Sequence, residues 1–163
     1  MIGRRKIATI NAMRMGAVKW AAAGLALSAA AVVWFGLELP PRCTPVGAAR
    51  TIALEISRIT RGQAKLFCYG DETGQKIRFI LARGNDGAIH TVFDACRQCY
   101  GFHKGYRLTR NGSLICRLCG NRYTVDHMMA GKASCAPVAL PHQRSGSTIR
   151  ISAADLRSGR GLF

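Results

Sequence analysis

Four cysteines fall in two Cys-x-x-Cys pairs, Cys96/Cys99 and Cys116/Cys119, within 24 residues. Two thiols three residues apart reach one metal ion through a tight turn, and a second pair completes a set of four thiolates. Sixteen residues separate Cys99 from Cys116, enough for a hairpin that folds one pair back onto the other. Four soft thiolates suit either Zn²⁺ or an iron–sulfur cluster, and the ligand set alone does not separate them. The same residues could instead form disulfides in an oxidising compartment, or a thioredoxin-like redox pair. A redox Cys-x-x-Cys normally comes singly at the start of a helix, so two pairs flanking a hairpin favour metal.

Around these four stand weaker candidates. Cys135, followed by Ala136-Pro137, is a candidate fifth thiol, with a buried apolar cysteine as the competing role. His103, four residues beyond Cys99, could substitute as a ligand or donate to a thiolate, or be an exposed loop histidine. His90, His127 and His142 show no ligand spacing. Cys68 lies in a strand-like run and reads as core, and Cys43 reads as linker. With seven cysteines in all, at least one of Cys43, Cys68 and Cys135 lacks an obvious mate.

Lys104, Arg107, Arg110, Arg117 and Arg122 crowd the same stretch. Cations near thiolates offset the negative charge of a site and raise the reduction potential of a cluster, although a solvated basic face has the same composition. No glycine-rich nucleotide loop follows a strand, and with eight acids in the chain no paired-carboxylate or Ser-His-Asp arrangement is suggested. No catalytic residue is assigned, and the chain reads as a metal-binding or electron-transfer protein rather than an enzyme.

The stretch TVFDACRQCYGFHKGYRLTRNGSLICRLCGNRY, from Thr91 to Tyr123, with SCAPVALP following, resembles the FtrD-like family of membrane iron–sulfur proteins. The resemblance is carried by Asp94, Cys96 and Cys99; then Lys104, Gly105 and Tyr106; then Cys116, Cys119, Gly120 and Tyr123; then Cys135 and Pro137. It runs from Lys76 to Leu140 and more weakly to Phe163. Ala133-Ser134 and Ala136 depart from the Gly-Gly-Cys-Asn-Pro turn of the family. The resemblance implies an iron–sulfur cofactor and an electron-transfer role beside a ferrous-iron transporter of the bacterial inner membrane. With no permease of its own, this chain would need a separate transporter or redox partner. The spacing is also similar to that of Rieske-type domains, with cysteines where those have histidines.

The elements that must position these thiols are short and β-rich. Strands are expected at 51–59, 64–69, 76–82, 88–93, 106–109, 113–115 and 148–151, several with alternating apolar and polar residues. Asn85-Asp86-Gly87 and Asn111-Gly112 tolerate positive φ and each closes a hairpin, the second bringing Cys96/Cys99 toward Cys116/Cys119. Ser152, with Asp155 three residues on, caps a short helix ending near Leu156. The expected fold is a mainly β domain at 51–163, with two Cys-x-x-Cys knuckles on hairpins, Rieske-like or zinc-ribbon-like.

Ahead of that domain, residues 20–37 carry no charge, and as a helix they would extend about 27 Å, nearly the hydrocarbon thickness of a bilayer. Trp20 near one end and Trp34-Phe35 near the other suit the two interfaces, and Pro40-Pro41 ends the segment. A cleaved signal peptide is the competing reading, but the apolar run continues past Ala29-Ala30-Ala31 through Val32 to Phe35. Residues 1–19 then form a basic cytoplasmic segment and 38–50 a linker. Arg4, Arg5, Lys6, Arg14 and Lys19 precede the helix against Arg42, Arg50 and Arg58 after it, a bias that favours a cytoplasmic N-terminus, so the domain is expected on the periplasmic face.

The net charge of +16 attracts anions without naming one. Three functions fit: a membrane-anchored electron-transfer module, a structural zinc module that docks an anionic partner, and a metallochaperone. Nucleic acid is not an expected partner outside the cytoplasm.

Overall fold

Residues 42–128 and 135–163 are described by a computed structural model of the chain. The expected membrane helix at 20–37 lies outside them. Among the described residues no helix is long and apolar enough to cross a membrane.

The longest β-branched and aromatic runs build the centre. β3 (Gln63–Gly70), β4 (Lys76–Arg83) and β5 (Ile89–Cys96) pair antiparallel. β1 (Thr44–Val46) adds to β3 in parallel and β9 (Pro137–Ala139) to β5, giving the order β1-β3-β4-β5-β9. Because side chains alternate across a strand, the register sorts them into two sets. Phe67, Tyr69, Ile77, Phe79, Leu81, Phe93 and Ala95 join one core; Leu66, Ile80, Ala82, Val92 and Cys96 join the other. β4 is therefore buried on both faces, which accounts for its unbroken Phe79-Ile80-Leu81-Ala82 run. Phe79, Ile80 and Leu81 each contribute about 1.5–3 kcal/mol by burial.

The first core is closed by a sheet of β2 (Thr51–Glu55), β11 (Thr148–Ser152) and β10 (Gln143–Ser145), together with helix α1 (Ala153–Ser158). Ser152 caps that helix as expected, its Oγ accepting from the Asp155 amide at 3.0 Å and donating to the Asp155 carboxylate at 2.5 Å. Arg160 then reaches back to Asp71 and Glu72, at 2.6 Å each, and pins the C-terminus to the β3–β4 turn.

The second core is closed by β6 (Tyr106–Leu108), β7 (Leu114–Cys116) and β8 (Arg122–Tyr123). Both anticipated hairpins are present. At Gly112, φ is 74°, and a Cβ there would overlap the carbonyl of Gly62, so the turn needs glycine for space as well as conformation.

Several boundaries differ from expectation. The 51–59 run leaves the strand after Glu55 and turns through a 3-10 segment, Ile56–Arg58, which buries Ile56. β1 falls within the stretch read as linker, and β8, β9 and β10 were not anticipated. These strands are two or three residues long and are held by pairing to longer neighbours, so they carry no periodicity of their own. Cys43 and Cys68 are not linker and core thiols but a disulfide, with Cα atoms 5.6 Å apart. It staples β1 to β3 at the sheet edge.

Candidate metal centre

Each Cys-x-x-Cys pair begins where a strand stops. β5 ends at Cys96, whose carbonyl accepts from the Cys99 amide at 3.1 Å; the chain then passes through a 3-10 turn, Tyr100–Phe102. β7 ends at Cys116, whose carbonyl accepts from the Gly120 amide at 3.0 Å. Such turns fold two thiols to one side. Pairing of Tyr106 with Cys116 across β6–β7 sets the second turn beside the first.

Asp94 joins the two pieces. Its Oδ1 accepts from the Tyr106 amide at 2.6 Å, and Arg78 Nε lies 3.0 Å from its Oδ2. Gly105 (φ 65°) lies so close to this carboxylate that a Cβ would collide with it. Burial pushes the Asp94 carboxyl up to about 6, against the pull of the Tyr106 amide and the Arg78 charge. Sequence reasoning missed Arg78, which is an ordinary outward-type residue in a strand pattern. Asp94 offered a signal, as a lone acid inside an apolar strand two residues before a site cysteine.

The four sulfurs of Cys96, Cys99, Cys116 and Cys119 lie within 4.8 Å of one another. Thiolates around one tetrahedral ion at about 2.3 Å stand about 3.8 Å apart, so the array is already close to the size that closes around a metal. Cys96 and Cys116 are buried, Cys99 is half-buried and Cys119 is exposed.

These thiols are costly to ionise together. Burial opposes the Cys96 thiolate, but the amides of Gln98 and Cys99 and the thiols of Cys99 and Cys135 bring its pKa down. Burial, then the neighbouring thiols, push Cys99 well up; burial is also the main cause that lifts Cys119 to about 11. A cation removes that mutual penalty and lets all four act as thiolates. The donor set therefore fits a thiolate-held iron centre.

The two further candidates sit differently. Cys135 is buried beside the four without joining that compact set. Its carbonyl accepts from Cys96 Sγ at 3.2 Å and from the Tyr106 hydroxyl at 3.0 Å, and its thiol is a hydrogen-bond neighbour of Cys96 and Cys119. His103 adopts a left-handed conformation (φ 53°). Its Nδ1 is 3.4 Å from the Leu162 carbonyl and its own carbonyl accepts from Arg78 at 3.2 Å. It is not brought into the sulfur group.

No curated protein matches the chain. The model of one protein family, described as membrane iron-sulfur containing protein FtrD-like, matches residues 59–163. That span is more than half of the chain and takes in the four clustered cysteines, Cys135 and the Asp94–Tyr106 link. The chain therefore belongs to the FtrD-like family of membrane iron–sulfur-containing proteins.

Proposed function

We propose that this chain is a membrane-tethered electron-transfer protein in which Cys96, Cys99, Cys116 and Cys119 hold the iron–sulfur centre, serving metal-ion transport by a partner protein. The observation that carries the reading is the convergence of four sulfurs within 4.8 Å in a family of iron–sulfur proteins. When bound, a thiolate-held iron centre supplies reversible one-electron chemistry. The residues of the chain do the rest. Burial of Cys96 and Cys116 keeps water from one side of the site, and the exposed Cys119 opens the other to a partner. Arg97, Lys104 and Arg122 are exposed nearby and lower the cost of adding an electron.

The periplasmic placement of the domain draws support from the Cys43–Cys68 disulfide, since such bonds persist in oxidising compartments. The five basic residues ahead of the apolar 20–37 segment agree with it. Iron transport rests on the family alone.

The test is anaerobic purification of the full chain in detergent, with iron, acid-labile sulfide and zinc counted per chain. Iron with visible absorption that bleaches under dithionite and returns on oxidation is the expected result, lost in Cys96→Ser/Cys116→Ser. One zinc per chain and no colour, with failed iron reconstitution, would leave a structural zinc module instead.

A further inference from the structure

Among the described residues three large apolar side chains are exposed: Tyr100 at 44%, Phe102 at 63% and Leu118 at 45%. Single exposed apolar residues are ordinary on a protein surface. These are not scattered. Tyr100 follows Cys99 directly, Phe102 lies three residues past it, and Leu118 directly precedes Cys119. They sit on the two turns whose sulfurs lie within 4.8 Å of one another, so exposed apolar side chains border both halves of the site as a collar, next in the chain to Cys99 and to the exposed Cys119.

The charge around the collar has one sign. From Ala95 to Val125 there are six basic residues and no Asp or Glu. The nearest acid before this stretch, Asp94, is buried against Arg78. Arg97, Lys104 and Arg122 are exposed and make no ion pair among the described residues. A small apolar centre with a charged rim is the form of a transient protein interface: the apolar part excludes water at the point of closest approach, and the rim steers encounter.

We infer that Tyr100, Phe102 and Leu118, rimmed by Arg97, Lys104 and Arg122, form the docking surface for an acidic one-electron carrier protein. The inference rests on the electron-transfer reading above. It commits to a protein partner rather than to lipid because the exposed Cys119 adjoins the exposed Leu118. Contact with a protein carrier there shortens the path for an electron, whereas contact with acyl chains would bury that sulfur against an insulator. With an iron centre held by the four thiolates, the step would pass one electron from that reduced centre to the carrier's metal, with no bond formed or broken.

The test uses the iron-loaded full chain in nanodiscs, reduced with dithionite and freed of excess. Stopped-flow oxidation is followed with an acidic plastocyanin, a basic cytochrome c and a small neutral quinone. Plastocyanin is expected to react faster than cytochrome c at low salt and to slow as salt screens the rim. Arg97→Glu/Lys104→Glu should slow the plastocyanin reaction about tenfold or more, within the range over which charge steers association. Phe102→Ser/Leu118→Ser should slow it even at high salt. The quinone reaction should be unchanged in Phe102→Ser/Leu118→Ser. In Arg97→Glu/Lys104→Glu, where the loss of cations destabilises the reduced centre, it should if anything quicken, so that slowing confined to plastocyanin marks docking rather than damage to the centre.

Equal rates with both carriers, or variants indistinguishable from the parent, would overturn the docking surface. A rate with the neutral quinone that rises when anionic phosphatidylglycerol is replaced by phosphatidylcholine would also overturn it, by showing that headgroups cover this face. A chain that neither bleaches with dithionite nor reoxidises with the quinone sinks the electron-transfer reading and this surface with it.

Discussion

The hydroxyl of Tyr106 donates to the backbone carbonyl of Cys135 across 3.0 Å, in the second core, while the amide of Tyr106 donates to Asp94. One residue thus ties the β6 strand both to the end of the central sheet and to the segment that returns beside Cys96. Tyr106→Phe keeps the ring, which packs edge-on to Tyr123, and removes only the first of these bonds. The variant should retain the iron absorption and lose about 1 kcal/mol of stability, read as a lower urea midpoint at unchanged slope.

Asp94 is more demanding. Its side chain is fully buried and pairs with Arg78, which is itself only 22% exposed. Asp94→Ala leaves that guanidinium facing a cavity and the Tyr106 amide without an acceptor. A loss of about 3–5 kcal/mol is expected, as for other broken buried pairs. Asp94→Asn keeps an acceptor for the amide and should cost less; equal losses would argue against the link between the two pieces of the site.

The Cys43–Cys68 bond closes a loop across a sequence separation of 25, for which chain entropy gives about 3.5 kcal/mol. Mild reduction, or Cys43→Ser/Cys68→Ser, should lower the unfolding midpoint by a corresponding amount while the iron absorption persists. Alkylation of the unfolded, unreduced, metal-stripped chain should label five thiols, the number left free in the fold.

Acid stability has a separate origin. The Thr73 hydroxyl, with Arg160 and the amides of Thr73 and Gln75, holds the Asp71 carboxyl down to about 2 against its desolvation. A carboxyl depressed in the folded state stabilises above its unfolded pKa near 4, and the benefit disappears as pH falls through the folded value. Unfolding followed from pH 5 to pH 2 should steepen across the lower half of that range. Asp71→Asn should flatten the curve there and lower it by a pH-independent amount above pH 5, where the carboxylate's stabilisation is fully present in the parent.

Much of this protein is legible before any coordinates. The runs that became β3, β4, β5 and β11 show strand character because their own residues are β-branched or aromatic. The turns at Gly87 and Gly112 are visible because positive φ restricts residue choice. The Ser152 cap is visible because its partner lies three residues away. The four sulfur donors are legible for the same reason, since a thiol pair within one turn is a local pattern.

What escaped is non-local. β1, β8, β9 and β10 are strands only because a longer strand lies alongside. The Cys43 thiol finds Cys68 only once β1 has docked on β3 in register, Thr44 against Phe67.

The donors, their spacing, the hairpin between the pairs and the excess of positive charge around them thus follow from local patterns alone. The bridge that Asp94 makes between Arg78 and Tyr106, the seat of Cys135 against Cys96, and the exposure of Tyr100, Phe102 and Leu118 next to the site turns follow only from how distant segments pack. Local patterns record what a segment does within a few residues. Burial, buried charge pairs and exposed apolar collars depend on which distant segment packs there, and that is settled by the whole chain folding at once.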